Sequence, residues 1–338
     1  MTMLAERIDA VIGVDTHKAS HTAAVVTPTG GATAHLTVPS DAVGAKRLLA
    51  FARGHVPAQR VWAIEGTGSF GAGLTTYLLE QGEWVVEIDR PKRPARRDGA
   101  KSDELDAVRA AREALSREHL AQPRRRGSRE ALRVLLVTRE AAVVERTRAL
   151  DALQALVVNA PEVLRGRLRH LSSDGLANRC ARLRTGPAQS LEQRATIVAL
   201  RSTARRALAC EAEAADLVSA LEDIVTQEHP ELLAEPGVGV ITAAIILNAW
   251  SHPGRIRSEA AFAMLAGVAP IPASSGQTVR HRLNRAGDRQ LNRALHTIVL
   301  SRLQHDAETR AYAARRRAEG RTDREIRRCL KRFTARRL

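Results

Sequence analysis

The chain has 338 residues, room for about two domains of ordinary size. Lys and Arg number 53 against 37 Asp and Glu, and the net charge of +16 sets the chain apart from a typical metabolic enzyme and points to a polyanionic partner. Hydrophobic residues at 44% are too many for a disordered basic tail, and aromatics at 3% argue against recognition by base stacking. Cys180, Cys210 and Cys329 are isolated, with no CxxC pair or His/Cys cluster, which speaks against a zinc finger or a disulfide framework. The opening MTMLAERIDAVIGVD lacks the basic-then-apolar pattern of a signal peptide, and no apolar run approaches the roughly 20 residues needed to span a bilayer. The expectation is a soluble, cytoplasmic, nucleoid-associated protein in a reducing compartment, with no membrane partner.

Residues 10–14 (AVIGV) form a short apolar run that ends at Asp15. Two β-prone runs, 21–26 and 34–38, flank the turn-rich TPTGG of 27–31. Ser40 and Asp41 offer an N-cap to a helix through about residue 53. Residues 60–64 (RVWAI) read as a strand ending at Glu65, the Gly-rich 66–73 leads into a helix, and 84–88 (WVVEI) reads as a fifth strand. Three strands in succession followed by βα repeats predict a mixed sheet with helices on its faces. A basic loop, 91–101 (PKRPARRDGAK), precedes Ser102, which can cap a helix over 103–118. PRRRG at 123–127 marks a boundary.

Residues 129–158 and 190–228 are long, periodic and rich in Leu, Val, Ala, Arg and Glu. Joined by an irregular segment, 159–189, they predict an antiparallel helical hairpin, either a packed spacer or a coiled coil at a subunit interface. Composition changes again at LLAEPGVGVITAAIILNAW (232–250), the loop APIPASSG (269–276) and a helix over 291–303. Residues 301–338, read as a basic tail, hold 13 Lys/Arg against 5 Asp/Glu, half of the chain's charge excess. The domains expected are 1–122, 123–229 and 230–338.

Acidic residues fall at element ends. Asp15 closes the first strand and Glu65 the fourth, while Asp103 and Asp106 are three apart on one helix face. If the first and fourth strands are neighbours, their C-terminal ends bring Asp15 and Glu65 side by side, and a helix across that end could add the other two. Four carboxylates in one place repel unless cations neutralise them. Oxygen ligands without His or Cys select Mg²⁺ or Mn²⁺, and paired ions of this kind serve phosphodiester chemistry. Any one of these acids alone would read as a cap or a surface residue.

A second constellation lies near the C-terminus. PGVG at 236–239 before an apolar helix resembles a helix–hairpin–helix element, in which glycines let the backbone approach a DNA phosphate. PIPASSG at 270–276 presents Ser274 and Ser275, with Arg280, His281, Arg282 and Arg285 close behind. A serine needs activation to act as a nucleophile, and arginines can stabilise a pentavalent phosphorus centre; alone, the segment also fits a plain basic surface turn.

Taken together, GVDTHK, AIEGTG, KSDELDA and the block from PGVGVITAAII through GVAPIPASSG to RAGDRQLNRAL resemble the DEDD transposases of insertion sequences, the family that includes Piv/MooV-type invertases and bridge-RNA-guided recombinases. The resemblance implies an α/β ribonuclease-H-like (RuvC-like) N-terminal domain, a helical coiled-coil segment, and a mainly α-helical C-terminal transposase domain. It implies that Asp15, Glu65, Asp103 and Asp106 hold Mg²⁺ and that Ser275, directly before glycine as in the family, forms a covalent link to DNA phosphate, with Ser274 the adjacent alternative. It also implies a homo-oligomer, dimer or tetramer, whose composite sites act on donor and target DNA, and a structured noncoding guide RNA that reads sequence by base pairing. Two other functions compete: a metal-dependent endonuclease resembling a Holliday-junction resolvase, with water as nucleophile, and a nucleic-acid-binding scaffold without catalysis. Retention of all four acids counts against the scaffold.

Overall fold

A computed structural model of the chain describes residues 4–88, 102–274 and 281–338. The basic loop 91–101 and Ser275 lie outside the described residues. The chain divides into two compact units, Met1–Arg126 with His252–Arg255, and Gly127–Ser251 with Ile256–Leu338. No helix among the described residues is long and apolar enough to cross a membrane.

The first unit opens with a short 3-10 turn, then β1 (Ala10–Thr16), β2 (Ser20–Val26), β3 (Ala32–Pro39), α1 (Ala42–His55), β4 (Arg60–Glu65), α2 (Ala72–Glu80), β5 (Val85–Ile88) and α3 (Asp103–Ser116). The strands form one mixed sheet in the order β3-β2-β1-β4-β5. β1, β2 and β3 pair antiparallel in succession, and β4 lies parallel to β1 and β5 parallel to β4. The predicted strand–helix order is therefore the observed one, and the condition set on the first and fourth strands is met.

Both faces of this sheet are apolar, so its central strands read as unbroken hydrophobic runs. Alternation sends Ile12, Val14, Trp62 and Ile64 to the face covered by α1 and α2. Val11, Val61 and Ala63 face α3, whose buried stripe is Ala107, Ala110, Ala111 and Ala114. These small residues let α3 press on the backbone of β1. A Cβ built on Gly13 would stand 2.0 Å from the Ala107 carbonyl oxygen, so the contact requires glycine. Asp41 caps α1, its carboxylate accepting from the Gly44 amide at 2.7 Å. Ser102 caps α3 through the Leu105 amide at 3.2 Å.

The second unit contains α4 (Ser128–Val158), α5 (Glu162–Leu168), α6 (Ser173–Ala181), α7 (Leu191–Glu228), α8 (Pro230–Ala234), α9 (Val240–Trp250), α10 (Glu259–Leu265), β6 (Ile271–Pro272), β7 (His281–Arg282), α11 (Arg289–His305), α12 (Ala307–Ala318) and α13 (Asp323–Arg337). α4 and α7 run antiparallel. Leu132 and Leu136 of α4 share a core with Leu221 and Val225 of α7, and Leu153 and Val157 share another with Leu200 and Ala204. Buried Ile197, Leu200, Ala204, Ala207, Ala214 and Leu221 follow heptad spacing along α7. Midway along the pair, Arg146 donates to Asp174 at 2.6 Å and to Glu211 at 3.2 Å, a charged layer joining α4, α6 and α7.

Two expectations are corrected here. The segment 159–189 is not irregular; it folds as α5 and α6, with Leu168, Leu176, Ala177 and Cys180 packed against the long helices. The basic tail is not a tail: α12 and α13 anchor through Ala313, Ile326 and Leu330 onto Val299 of α11. The turn between α8 and α9 holds the PGVG motif. There Gly237 adopts a φ of +79°, and a Cβ would meet the Ile298 carbonyl oxygen at 2.9 Å. The close approach that this glycine allows is thus made to α11 inside the protein.

Candidate active site

Asp15 stands near the C-terminal end of β1, one residue beyond the Val14–Ile64 pairing that aligns β1 with β4. It shares parity with Val11 and Gly13, so it projects on the α3 side of the sheet. Because α3 lies directly over Gly13, its first turn overhangs that strand end and delivers Asp103. His17, two residues beyond Asp15, takes the same side. Its Nε2 lies 3.0 Å from an Asp15 carboxylate oxygen and 3.4 Å from one of Asp103. One ligand atom from each of Asp15, His17 and Asp103 falls within 4.8 Å of the other two, close enough to hold a metal ion.

The two remaining predicted acids are close by, outside that trio. Glu65 ends β4 on the same side of the sheet, and its carbonyl oxygen accepts from Thr16 Oγ1 at 2.9 Å, tying the two strand ends together. Asp106 follows Asp103 by one turn of α3 and is paired with Arg109 at 2.6 Å. Glu104 turns away to His35 at 3.0 Å. Asp15 is buried, and burial pushes its carboxyl above the ordinary value, with the carboxylates of Asp103 and Asp106 adding to the rise and His17 opposing it. Such a site favours a cation. Two carboxylates within 4.8 Å suit Mg²⁺ or Mn²⁺, and His17 could add a nitrogen donor that the sequence reading does not name. The D-x-H spacing was the available signal, since residues two apart on a strand share a face.

In the second unit, β6 and β7 pair antiparallel through Ile271–Arg282 and Pro272–His281. They are the feet of the segment that carries the serines. Ser274 is exposed, and Ser275 lies outside the described residues. The feet are fixed by amides: Asn284 is buried, donates to the Met264 carbonyl at 3.1 Å and accepts from the Ala286 amide at 3.0 Å. Asn292 donates to the Ala266 carbonyl at 2.7 Å. Asp288 caps α11, accepting from the amides of Gln290 and Leu291 at 2.8 and 3.0 Å.

Comparison with known proteins accords with these features. Residues 12–160 match a DEDD transposase domain of the IS110 type, and residues 229–314 match the domain described as "Transposase IS116/IS110/IS902 family". The first stretch contains Asp15, Glu65, Asp103 and Asp106, and the second contains both serines. The chain is 28% identical over 360 residues to an uncharacterized 42 kDa protein of insertion element IS900 from Mycobacterium paratuberculosis, covering 91% of this chain and 89% of that one. It is 37% identical over 94 residues to an uncharacterized 43.6 kDa protein of insertion element IS110 from Streptomyces coelicolor, which spans 28% of this chain and only 23% of that relative. With its acid-bearing stretch and its serine-bearing stretch each matched to a transposase domain, in that order along the polypeptide, and with relatives encoded by insertion elements, the comparisons support a DNA transposase enzyme.

Proposed function

We propose that the chain cuts and rejoins DNA strands of an insertion sequence through a serine–phosphate intermediate, with Ser275 as the nucleophile and Ser274 beside it as the alternative. The serine oxygen bonds to phosphorus, the bond from phosphorus to one deoxyribose oxygen breaks, and that oxygen leaves with a proton. Attack by a deoxyribose hydroxyl of another strand reverses the sequence and frees the serine. Asp15 and Asp103, with Glu65 and Asp106 on the same side, form the acidic half of the site. Mg²⁺ held there would neutralise the carboxylates and polarise a phosphate oxygen. Aligning that phosphate and excluding stray water falls to the chain's own residues.

The observation that carries this reading is the convergence of Asp15 and Asp103, far apart in sequence, at one end of the sheet. The basic excess supports a nucleic-acid substrate. In the same proposal the active form is a dimer or tetramer, with donor and target DNA chosen by a structured noncoding guide RNA, the protein reading backbone and shape. The test is covalent trapping. Wild-type protein with DNA and Mg²⁺ is expected to give a protein–DNA adduct that survives denaturation, and Ser275→Ala is expected to give none while still binding DNA. Adducts that persist in Ser275→Ala and vanish in Ser274→Ala would move the nucleophile by one residue. Cleavage with no adduct in any form would favour water as the nucleophile.

A further inference from the structure

Beside the β6–β7 hairpin lies a cavity of about 830 Å³, walled on one side by Pro270, His281 and Arg282 and on the other by α12 and α13. Its size falls in the range of roughly 300–1,000 Å³ that holds a small organic ligand. The charged part of the lining is mainly cationic. Some are neutralised within the protein: Arg332 donates to Glu259 at 2.9 Å, Arg316 pairs with Glu319, and Arg321 approaches Glu325 at 3.8 Å. Glu325, the acid in the lining, is held by Thr322 of its own helix cap, accepting from its amide at 3.0 Å and its hydroxyl at 2.8 Å.

Arg282, Arg328 and Lys331 are different. Among the described residues none of the three lies within ion-pair distance of a carboxylate, although the charge of Arg328 is felt by Glu325, one turn earlier on the same helix. Lys331 is half-buried, its Nζ donates to the neutral amide oxygen of Asn292 at 2.9 Å, and burial together with Arg328 pushes it below the ordinary lysine value. Arg282 and Arg328 are exposed beside the half-buried Lys331, and an anion among the three would offset their mutual repulsion. The same cavity has an apolar wall that includes Phe333, about half exposed at 49% and stacked edge-on against Tyr312 at 5.7 Å. An accessible ring edge next to these cations offers an apolar contact for a sugar whose phosphate meets the charge.

We infer that this cavity seats one nucleotide of the DNA strand engaged by the serine loop, its phosphate on Arg282, Arg328 and Lys331 and its sugar against Phe333. Deoxyribonucleotide rather than guide RNA is assigned because one wall, His281 and Arg282, belongs to β7, which pairs with the strand that runs into Ser274. That placement rests on the serine reading above.

The test measures binding of full-length protein to a fluorescein-labelled DNA duplex without metal, over a range of salt concentrations. An Arg282→Gln/Arg328→Gln double variant is expected to weaken binding about tenfold and to flatten the slope of log affinity against log salt by roughly 1–2, because each phosphate contact contributes about 0.9. Arg324→Gln, on the same helix and outside the cavity, is expected to change the slope by no more than about half as much. Arg328→Lys is expected to retain most of the slope. A double variant that behaves like Arg324→Gln overturns the proposal. So does a loss confined to an RNA duplex of the same sequence, which would give the cavity to RNA; a loss on DNA at least as large as on RNA supports it. Repeating the titration in Ser275→Ala separates this inference from the serine chemistry. Adduct formation can fail there while the salt dependence stands.

Discussion

Two buried carboxylates lie toward opposite ends of the N-terminal sheet and titrate in opposite directions. Glu83, just before β5, is level with the start of β4, and Asp15 is at the end of β1. Burial pushes Glu83 up, yet hydrogen bonds from Arg60, Trp62 and Arg53 outweigh it and hold the carboxyl below its ordinary value. Arg60 Nε reaches it at 2.8 Å and Trp62 Nε1 at 2.9 Å. Asp15 also pays for burial, but its neighbours include two further acids, and its carboxyl stays above the ordinary value. One end of the sheet is neutralised by the chain's own cations and serves stability. The other end gathers Asp15, Asp103 and Asp106, with His17 and Arg109 against them among the described residues, and perturbation of that kind clusters at functional sites.

The largest effect that could break this contrast is catalytic. Asp15→Asn or Asp103→Asn is expected to cut strand cleavage by about a thousandfold or more, measured with labelled DNA and Mg²⁺. Asp15→Asn is also expected to leave the melting temperature of the metal-free protein unchanged or raised. The sign follows from the raised carboxyl: its stabilising form is the protonated one, fully present below the unfolded value and lost as pH rises through the folded value. A lower melting temperature would mean that the acidic end is structural after all. Next is Glu83→Ala, which strands Arg60 and Trp62 and is expected to cost about 3–5 kcal/mol in denaturant unfolding. Gly13→Ala should cost about 1–3 kcal/mol, since a methyl group cannot share space with the Ala107 carbonyl, and should weaken metal binding as α3 is lifted.

Acid titration sharpens the comparison further. The contribution of Glu83 is present above its unfolded value of about 4.3 and is lost as pH falls through the lower folded value. Wild type should therefore lose stability more steeply below about pH 4.3 than Glu83→Gln does. The smallest change expected is that of His17→Asn, about a tenfold loss in affinity for Mn²⁺ by calorimetry.

Much of this was legible in the sequence. The apolar runs at 10–14 and 60–64 announce central strands and that at 84–88 the edge strand β5, and the glycines and capping residues between them place the helices. Parity then puts Asp15 and Glu65 on one side of adjacent strands. What escaped has physical causes. α5 and α6 are seven and nine residues long, too short for a period to emerge from a stretch rich in Arg, Gly and Asn. α12 and α13 bury few apolar side chains among many arginines, so their composition reads as a solvated tail although Ile326 and Leu330 fasten them. His17 was overlooked because the carboxylates alone satisfied the expected chemistry.

The salt-bridged layer of Arg146, Asp174 and Glu211 gives the long helical arm a quantised length. Each residue added to a helix turns everything beyond it by about 100°, so an insertion of three or four residues would swing Glu211 off the seam, while seven return it to within about 20°. The arm can therefore be lengthened or shortened in matched steps of one heptad, about 10 Å each, without breaking this charged layer.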